Sequence, residues 1–361
     1  MDIPSNQTGV PAHNSFEAAH ENKHPADRAQ SILVPYFLQR SKEFQRLTDL
    51  RHIGWQNPEG DVFFQQQRQL ADTKNDRTGN YFFQLMKKVG QELHRSTSAF
   101  TIRREDANGL TILDMCMAPG GFLQTCMRCN PGSTALAFSL PAALSGHKVL
   151  IPSHFDVEKR YLDVTMLAGD MGMNHIPADH PDVLLFPPRQ FKDGQLFDMV
   201  MCDGQVLRGH KRSSYRKKRE ARRLINSQLA LSLEHLRPGG NMIVLLHKFE
   251  ACDTTKLLWD SHGFSSIKLL KPKTSHTKRS SFYMVATNVQ SQHTLALQAI
   301  QRWKDAWRIA TFGSDDDYAE LLRNHDGCAS KVLDVFGPQL VELGRDIWAT
   351  QADALARASF I

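Results

Sequence analysis

The stretch from Leu110 to Phe122, Leu-Thr-Ile-Leu-Asp-Met-Cys-Met-Ala-Pro-Gly-Gly-Phe, constrains the fold of this chain more than any other. From Leu110 to Met117 only Thr111 and Asp114 are polar, the pattern of a strand buried on both faces. Pro119, Gly120 and Gly121 then force a turn, and the next six residues have the composition of a helix. Strand, glycine turn and helix open a doubly wound α/β sheet, in which a ligand sits beyond the carboxyl ends of the strands. Two adjacent glycines would let the backbone approach that ligand where a Cβ would collide. The turn lacks both the Gly-x-Gly-x-x-Gly spacing and the Gly-Lys-Ser/Thr ending of phosphate-binding loops.

The string Asp-x-x-x-Ala-Pro-Gly-Gly-Phe resembles the first motif of the FtsJ-like (RrmJ-type) ribose 2′-O-methyltransferases, which use S-adenosyl-L-methionine. The resemblance runs from about Arg77 to Asn288. It implies a Rossmann-like fold, mostly parallel with an antiparallel closing strand. It also implies cofactor contacts from Asp114, Ala118, Pro119, Gly120, Gly121 and Phe122, with the methionine part over the two glycines.

Later segments extend the pattern. Thr134–Leu140 reads as a second strand, and the resemblance puts Ser139 where an acid usually holds the cofactor ribose. Serine can hydrogen-bond a hydroxyl but lacks the bidentate, charge-assisted option. Val164–Asp170 reads as a third strand, with Asp170 the implied acceptor of the adenine amino group; the roughly 25 residues before it carry no recognisable signal. Phe197–Asp203 is a fourth strand bringing Asp203 to the sheet edge, and Met242–Lys248 a fifth bringing Lys248 there. Asp203 also belongs to the implied cofactor contacts.

Ser266–Leu270 and Ser281–Thr287 read as a closing pair. The string Lys271-Pro-Lys-x-x-His-x-Lys-Arg-Ser-Ser resembles the family's Lys-Pro-x-x-Ser-Arg-x-x-Ser-x-Glu, which puts Ser281 at the glutamate. A Lys-Asp-Lys-Glu set is implied for catalysis. Its middle members are Asp203 and Lys248, with Lys248 as base; its outer members fall on Gln84 and Ser281. Lys87 or Lys88, one turn beyond Gln84, would reach the same space.

The net charge of +6 hides a concentration. Arg208 to Arg223 holds nine Lys or Arg and one acid, Glu220, so this run carries +8 and the remainder −2. A local excess of this kind points to a polyanion at one place, with RNA contacts expected from Lys211, Arg212, Arg216, Lys217, Lys218 and Arg219. A helix is expected from about Tyr215.

Residues 1–30, rich in Asn, Gln, His and Pro, read as disordered or loosely attached. Residues 31–76 form a helical extension, 77–288 the Rossmann-like domain, and 289–361 a second helical extension. The last has three helices packed through Trp303, Trp307, Leu321, Phe336, Ile347 and Trp348. Asp315-Asp316-Asp317 is expected to start one of them rather than to bind metal. Six scattered cysteines, including Cys126 and Cys129, read as reduced thiols of an intracellular protein, cytoplasmic or nuclear, with no metal. No apolar run approaches the roughly 18–20 residues that span a bilayer.

Three functions fit this pattern. The first is an RNA ribose methyltransferase, the second a degenerate RNA- or cofactor-binding relative, and the third a small-molecule O- or N-methyltransferase.

Overall fold

A computed structural model describes residues 25–73, 75–102, 109–326 and 329–361. The chain begins with four helices, α1 (Pro25–Arg40), α2 (Lys42–Gln56), α3 (Pro58–Asp72) and α4 (Asp76–Thr97). Each boundary has a local cause. Ser41 caps α2 by accepting from the Phe44 N–H, Asn57 caps α3 ahead of Pro58, and Asn75 accepts from the Thr78 N–H to start α4. Residues 1–24, expected to be disordered, lie outside the described residues; helix already runs from Pro25, ahead of the expected boundary at 31.

The sheet has seven strands, β1 (Thr111–Asp114), β2 (Thr134–Ser139), β3 (Val157–Tyr161), β4 (Phe197–Cys202), β5 (Leu236–His247), β6 (Ser266–Leu270) and β7 (Ser281–Val289). Their order is β3-β2-β1-β4-β5-β7-β6. Only β7 is antiparallel to its neighbours, so the Rossmann-like sheet and its closing strand are as the glycine turn implied. The strand order reverses at β1, so the carboxyl ends of β1, β2 and β4 face one crevice.

Two expectations shift. The third strand is Val157–Tyr161, inside the stretch that carried no signal, and Val164–Met166 is a 3-10 turn. The helix α6 runs Glu220–Glu234, starting five residues later than expected.

The remaining helices are α5 (Gly121–Cys129), α7 (Cys252–His262), α8 (Thr294–Phe312), α9 (Asp315–Asp326) and α10 (Ala329–Ala356). The three acids from Asp315 occupy the first turn of α9, where the helix dipole favours them. Both extensions meet in one helical layer. Phe37, Phe44 and Trp348 pack with Phe249, just beyond β5, at ring separations of 4.9–5.9 Å. Trp303, Trp307, Phe336 and Ile347 are buried as expected, and Leu321 is half-buried. Among the described residues no helix is long and apolar enough to cross a membrane.

Three of the nine cations of the basic run prove internal. Arg216, Arg219 and Arg223 are buried at 3%, 6% and 0% exposure. Arg216 pairs with Asp163 and Glu220, each at 2.5 Å, and Arg223 with Glu220 at 2.9 Å and Thr311 at 3.0 Å. Arg219 reaches the Gly313 carbonyl and Asp315. These guanidinium groups bolt α6 to α8 and to the turn after β3. Arg216 and Arg219, expected on RNA, are therefore structural. Arg223→Ala leaves Glu220 buried with one partner fewer, so thermal or urea unfolding should show a loss of about 3 kcal/mol. A loss within about 0.5 kcal/mol, the range of an ordinary surface change, would contradict the internal role.

Candidate active site

The crevice holds a cavity of about 240 Å³. Its floor is the turn Cys116–Phe122 after β1, and its sides are Ser139 and Leu140 after β2 and Asp203 to Gln205 after β4. Leu245 of β5, Ser281 and Tyr283 of β7, and Gly79, Phe82 and Met86 of α4 complete it.

The two glycines act differently from one another. Gly120 holds φ +104°, a left-handed conformation open to glycine at little cost. A Cβ on Gly121 would lie 2.2 Å from the Phe83 carbonyl oxygen and 3.1 Å from the Lys87 nitrogen. The missing side chain of Gly121 therefore admits the backbone of α4, where the sequence suggested a ligand. Both glycines still border the cavity, so a ligand lies against the turn and α4 together.

Two buried oxygens of the wall have no partner, Ser139 Oγ and Asp203 Oδ1. Buried polar atoms are normally satisfied, so these two await a ligand. Burial pushes the Asp203 carboxyl up to about 7. Asp114, beneath the floor, accepts from the Cys116 N–H at 3.0 Å. Burial and then the charge of Asp203 raise Asp114 well above the usual carboxylate range. The same burial and charge raise the phenol of Tyr283, which stacks on Phe122 at 5.4 Å. Burial also keeps the Cys116 and Cys202 thiols protonated, so neither is a nucleophile.

A sequence profile of the FtsJ-like methyltransferases matches residues 93–289, more than half of the chain. The chain belongs to the FtsJ-like methyltransferase family. It is a methyltransferase whose methyl donor is S-adenosyl-L-methionine, and the unpartnered Ser139 Oγ and Asp203 Oδ1 of the cavity wall are groups of the kind that could hold such a donor. No curated protein matches the chain. Similar solved structures include an O-methyltransferase family protein from Burkholderia thailandensis, with 13% identity over 68% of this chain and 72% of that one, TM-score 0.32. Human methyltransferase-like protein 13 in complex with SAH gives 14% over 63% and 96%, TM-score 0.32. A Streptococcus thermophilus rRNA methylase gives 11% over 55% and 96%, TM-score 0.31.

Not every residue expected in this FtsJ-like site is there. Asp203, Ser139, Ser281, Ala118, Pro119, Gly120, Gly121 and Phe122 line the cavity. Asp114 supports it from below. Asp170 does not reach it: both its oxygens accept from the Gln190 N–H at 3.0 Å and one from the Phe191 N–H at 3.1 Å. Its carboxylate pins a loop and is spent on that task. The acid at the end of the true third strand is Asp163, which borders a smaller adjoining cavity and is held by Arg216.

On α4, Gln84 and Lys88 are exposed and Lys87 lies over the Phe83 ring, none of them in the wall. Lys248 follows the end of β5 with φ +48°, is exposed, and stands outside the wall. His247, two residues after the cavity-lining Leu245 and paired in register with Ser281, is likewise exposed and outside the wall. Surrounding protein and the charges of Arg279 and Lys271 hold the His247 imidazole below its ordinary value.

The raised Asp203 carboxyl has a consequence for stability. Its folded-state value exceeds the unfolded one, so the folded form binds the proton more tightly. That contribution is complete below about pH 4 and is lost as pH rises towards about 7. The melting temperature of Asp203→Asn relative to wild type should therefore climb between pH 4 and 7 and level off above. A constant difference across that range would refute the shift.

Proposed function

We propose that this FtsJ-like enzyme methylates a hydroxyl of RNA, the ribose 2′-oxygen, and that the carrying observation is the pair of unpartnered oxygens in a cavity open to a basic rim. The donor supplies a methyl group on a positively charged sulfonium. Ser139 is suited to a donor hydroxyl, and Asp203 carries the negative charge that favours a cation in the cavity. Most of the catalysis is positioning of the acceptor oxygen in line with the transferred methyl.

We assign the proton-accepting role to His247 rather than Lys248: both are exposed at the end of β5, but His247 is the one paired in register with the cavity-lining Ser281. A lowered imidazole is neutral at pH 7 and can accept the hydroxyl proton as the oxygen attacks, which an ammonium cannot do. Asp203 orients the acceptor and offsets the developing imidazolium. Ser281, facing His247 across β5 and β7, leaves the acceptor side uncharged where a glutamate was expected.

The RNA assignment is supported by the exposed part of the basic run. Lys211, Lys217 and Lys218 are open to solvent, and Arg212 is half-buried, donating to the Leu207 carbonyl. Lys211 and Arg212 border the smaller cavity that adjoins the main one. Lysines there can hold phosphates beside a target nucleotide.

The test is transfer of a labelled methyl group to RNA, followed by digestion to nucleosides. Label is expected on ribose, with kcat reduced about 100-fold or more by His247→Ala and by less than about tenfold by Lys248→Ala. Label on a base would overturn the ribose assignment, and a larger loss from Lys248→Ala than from His247→Ala would return the proton to the lysine.

A further inference from the structure

Between β6 and β7 the loop 271–280 brings His276 and Arg279 into the cavity wall, and it is fastened more thoroughly than an idle connection requires. Lys271, 3% exposed, donates to the carbonyls of His276, Arg279 and Ser281 at 3.3, 2.5 and 2.9 Å. Glu92 accepts from the Lys273 and Thr274 N–H groups at 2.7 and 3.2 Å. Gln351 of α10 donates to the Lys278 carbonyl. The Lys278 ammonium lies 4.8 Å over the Phe63 ring of α3, fixing the loop against that helix.

What this scaffold presents is a guanidinium. Arg279 is half-buried and lines the cavity. Burial, and then the charge of Arg68 on α3, push its ionisation down, and Ala71 of the same helix lines the cavity beside it. Among the described residues no carboxylate lies within ion-pair distance of Arg279, Arg68 or Lys278. Two other half-buried guanidinium groups show the usual arrangement, Arg51 paired with Glu250 and Arg222 with Asp253. Like charges held together without a counter-ion repel, and a rigid loop that keeps them so calls for an external anion.

We propose that Arg279 and Arg68 clamp a phosphodiester of the RNA that presents its hydroxyl to the cavity, with the loop 271–280 as the rigid jaw and α3 as the other. A guanidinium matches a phosphate bidentately. Arg279 sits two residues before Ser281, which faces His247, so a phosphate held there lies beside the acceptor hydroxyl. The α3 helix thereby gains a role, as an RNA-contacting lid rather than a mere extension. This inference rests on the RNA reading above and names how that site takes its substrate.

The experiment is fluorescence-anisotropy titration of full-length protein with labelled hexauridylate RNA at several salt concentrations, alongside uridine 5′-monophosphate as competitor. Wild type is expected to bind the hexamer. Arg279→Gln and Arg68→Gln should each weaken it about tenfold and lower the slope of log K against log salt by about one, as for a lost phosphate contact. Arg279→Lys should recover part of the affinity. Arg68 is exposed, so its variant reads out binding even if Arg279→Gln folds poorly. Unchanged affinity and slope in both variants, with wild type binding normally, would overturn the clamp alone. Failure of wild type to bind the hexamer would overturn the RNA reading itself. Competition by the monophosphate as strong as by the unlabelled hexamer would replace the phosphodiester by a mononucleotide and refute the clamp as stated.

Discussion

The close approach of α4 to the glycine turn fixes everything that follows. With no side chain on Gly121, the carbonyl of Phe83 comes to where a Cβ would stand at 2.2 Å. Helix α4 therefore lies directly on the first crossover, and Gly79, Phe82 and Met86 become a wall of the cavity instead of an outer surface. Any side chain at 121 would push the helix away and open that wall to water. A methyl-transfer site benefits from the opposite, because charge interactions are stronger where water is excluded.

Within that enclosure electrostatics is set first by two carboxyls. Asp114 and Asp203 cannot both ionise cheaply in a buried site, so one proton stays with the pair near neutral pH. Beside the cavity, burial and then the charge of Arg68 lower the ionisation of Arg279, and burial and then the charge of Arg51 lower that of Lys271. Burial and those neighbours push Lys271 down to about 7 and His276, in the wall, down to about 4. The ionised carboxyl of the floor thus favours a positively charged group in the cavity.

Much of this was legible in the chain. The apolar run ending in Ala-Pro-Gly-Gly-Phe marked the fold, and Asp203 at the end of a wholly buried strand marked the edge where chemistry gathers. Other parts were hidden for physical reasons. β3 reads Val-Glu-Lys-Arg-Tyr, because an edge strand keeps its polar side chains in solvent, so no apolar pattern announced it. Its loss shifted the implied adenine acid to Asp170, which in fact pins a loop. The basic run looked like one surface, yet Arg216, Arg219 and Arg223 are matched to acids more than 50 residues away or on the same helix, and sequence proximity says nothing of such pairing. Lys248 drew attention as a charge ending an apolar strand, yet its side chain is exposed and outside the cavity wall.

The central claim is that the crevice beyond β1, β2 and β4 holds the methyl donor. Titration calorimetry of the full-length protein with S-adenosyl-L-homocysteine, beside Ser139→Phe, which fills the cavity from its side, tests it most directly. The account predicts saturable one-to-one binding by wild type and its loss in the variant. Absence of binding by wild type, or equal binding by both, would contradict it.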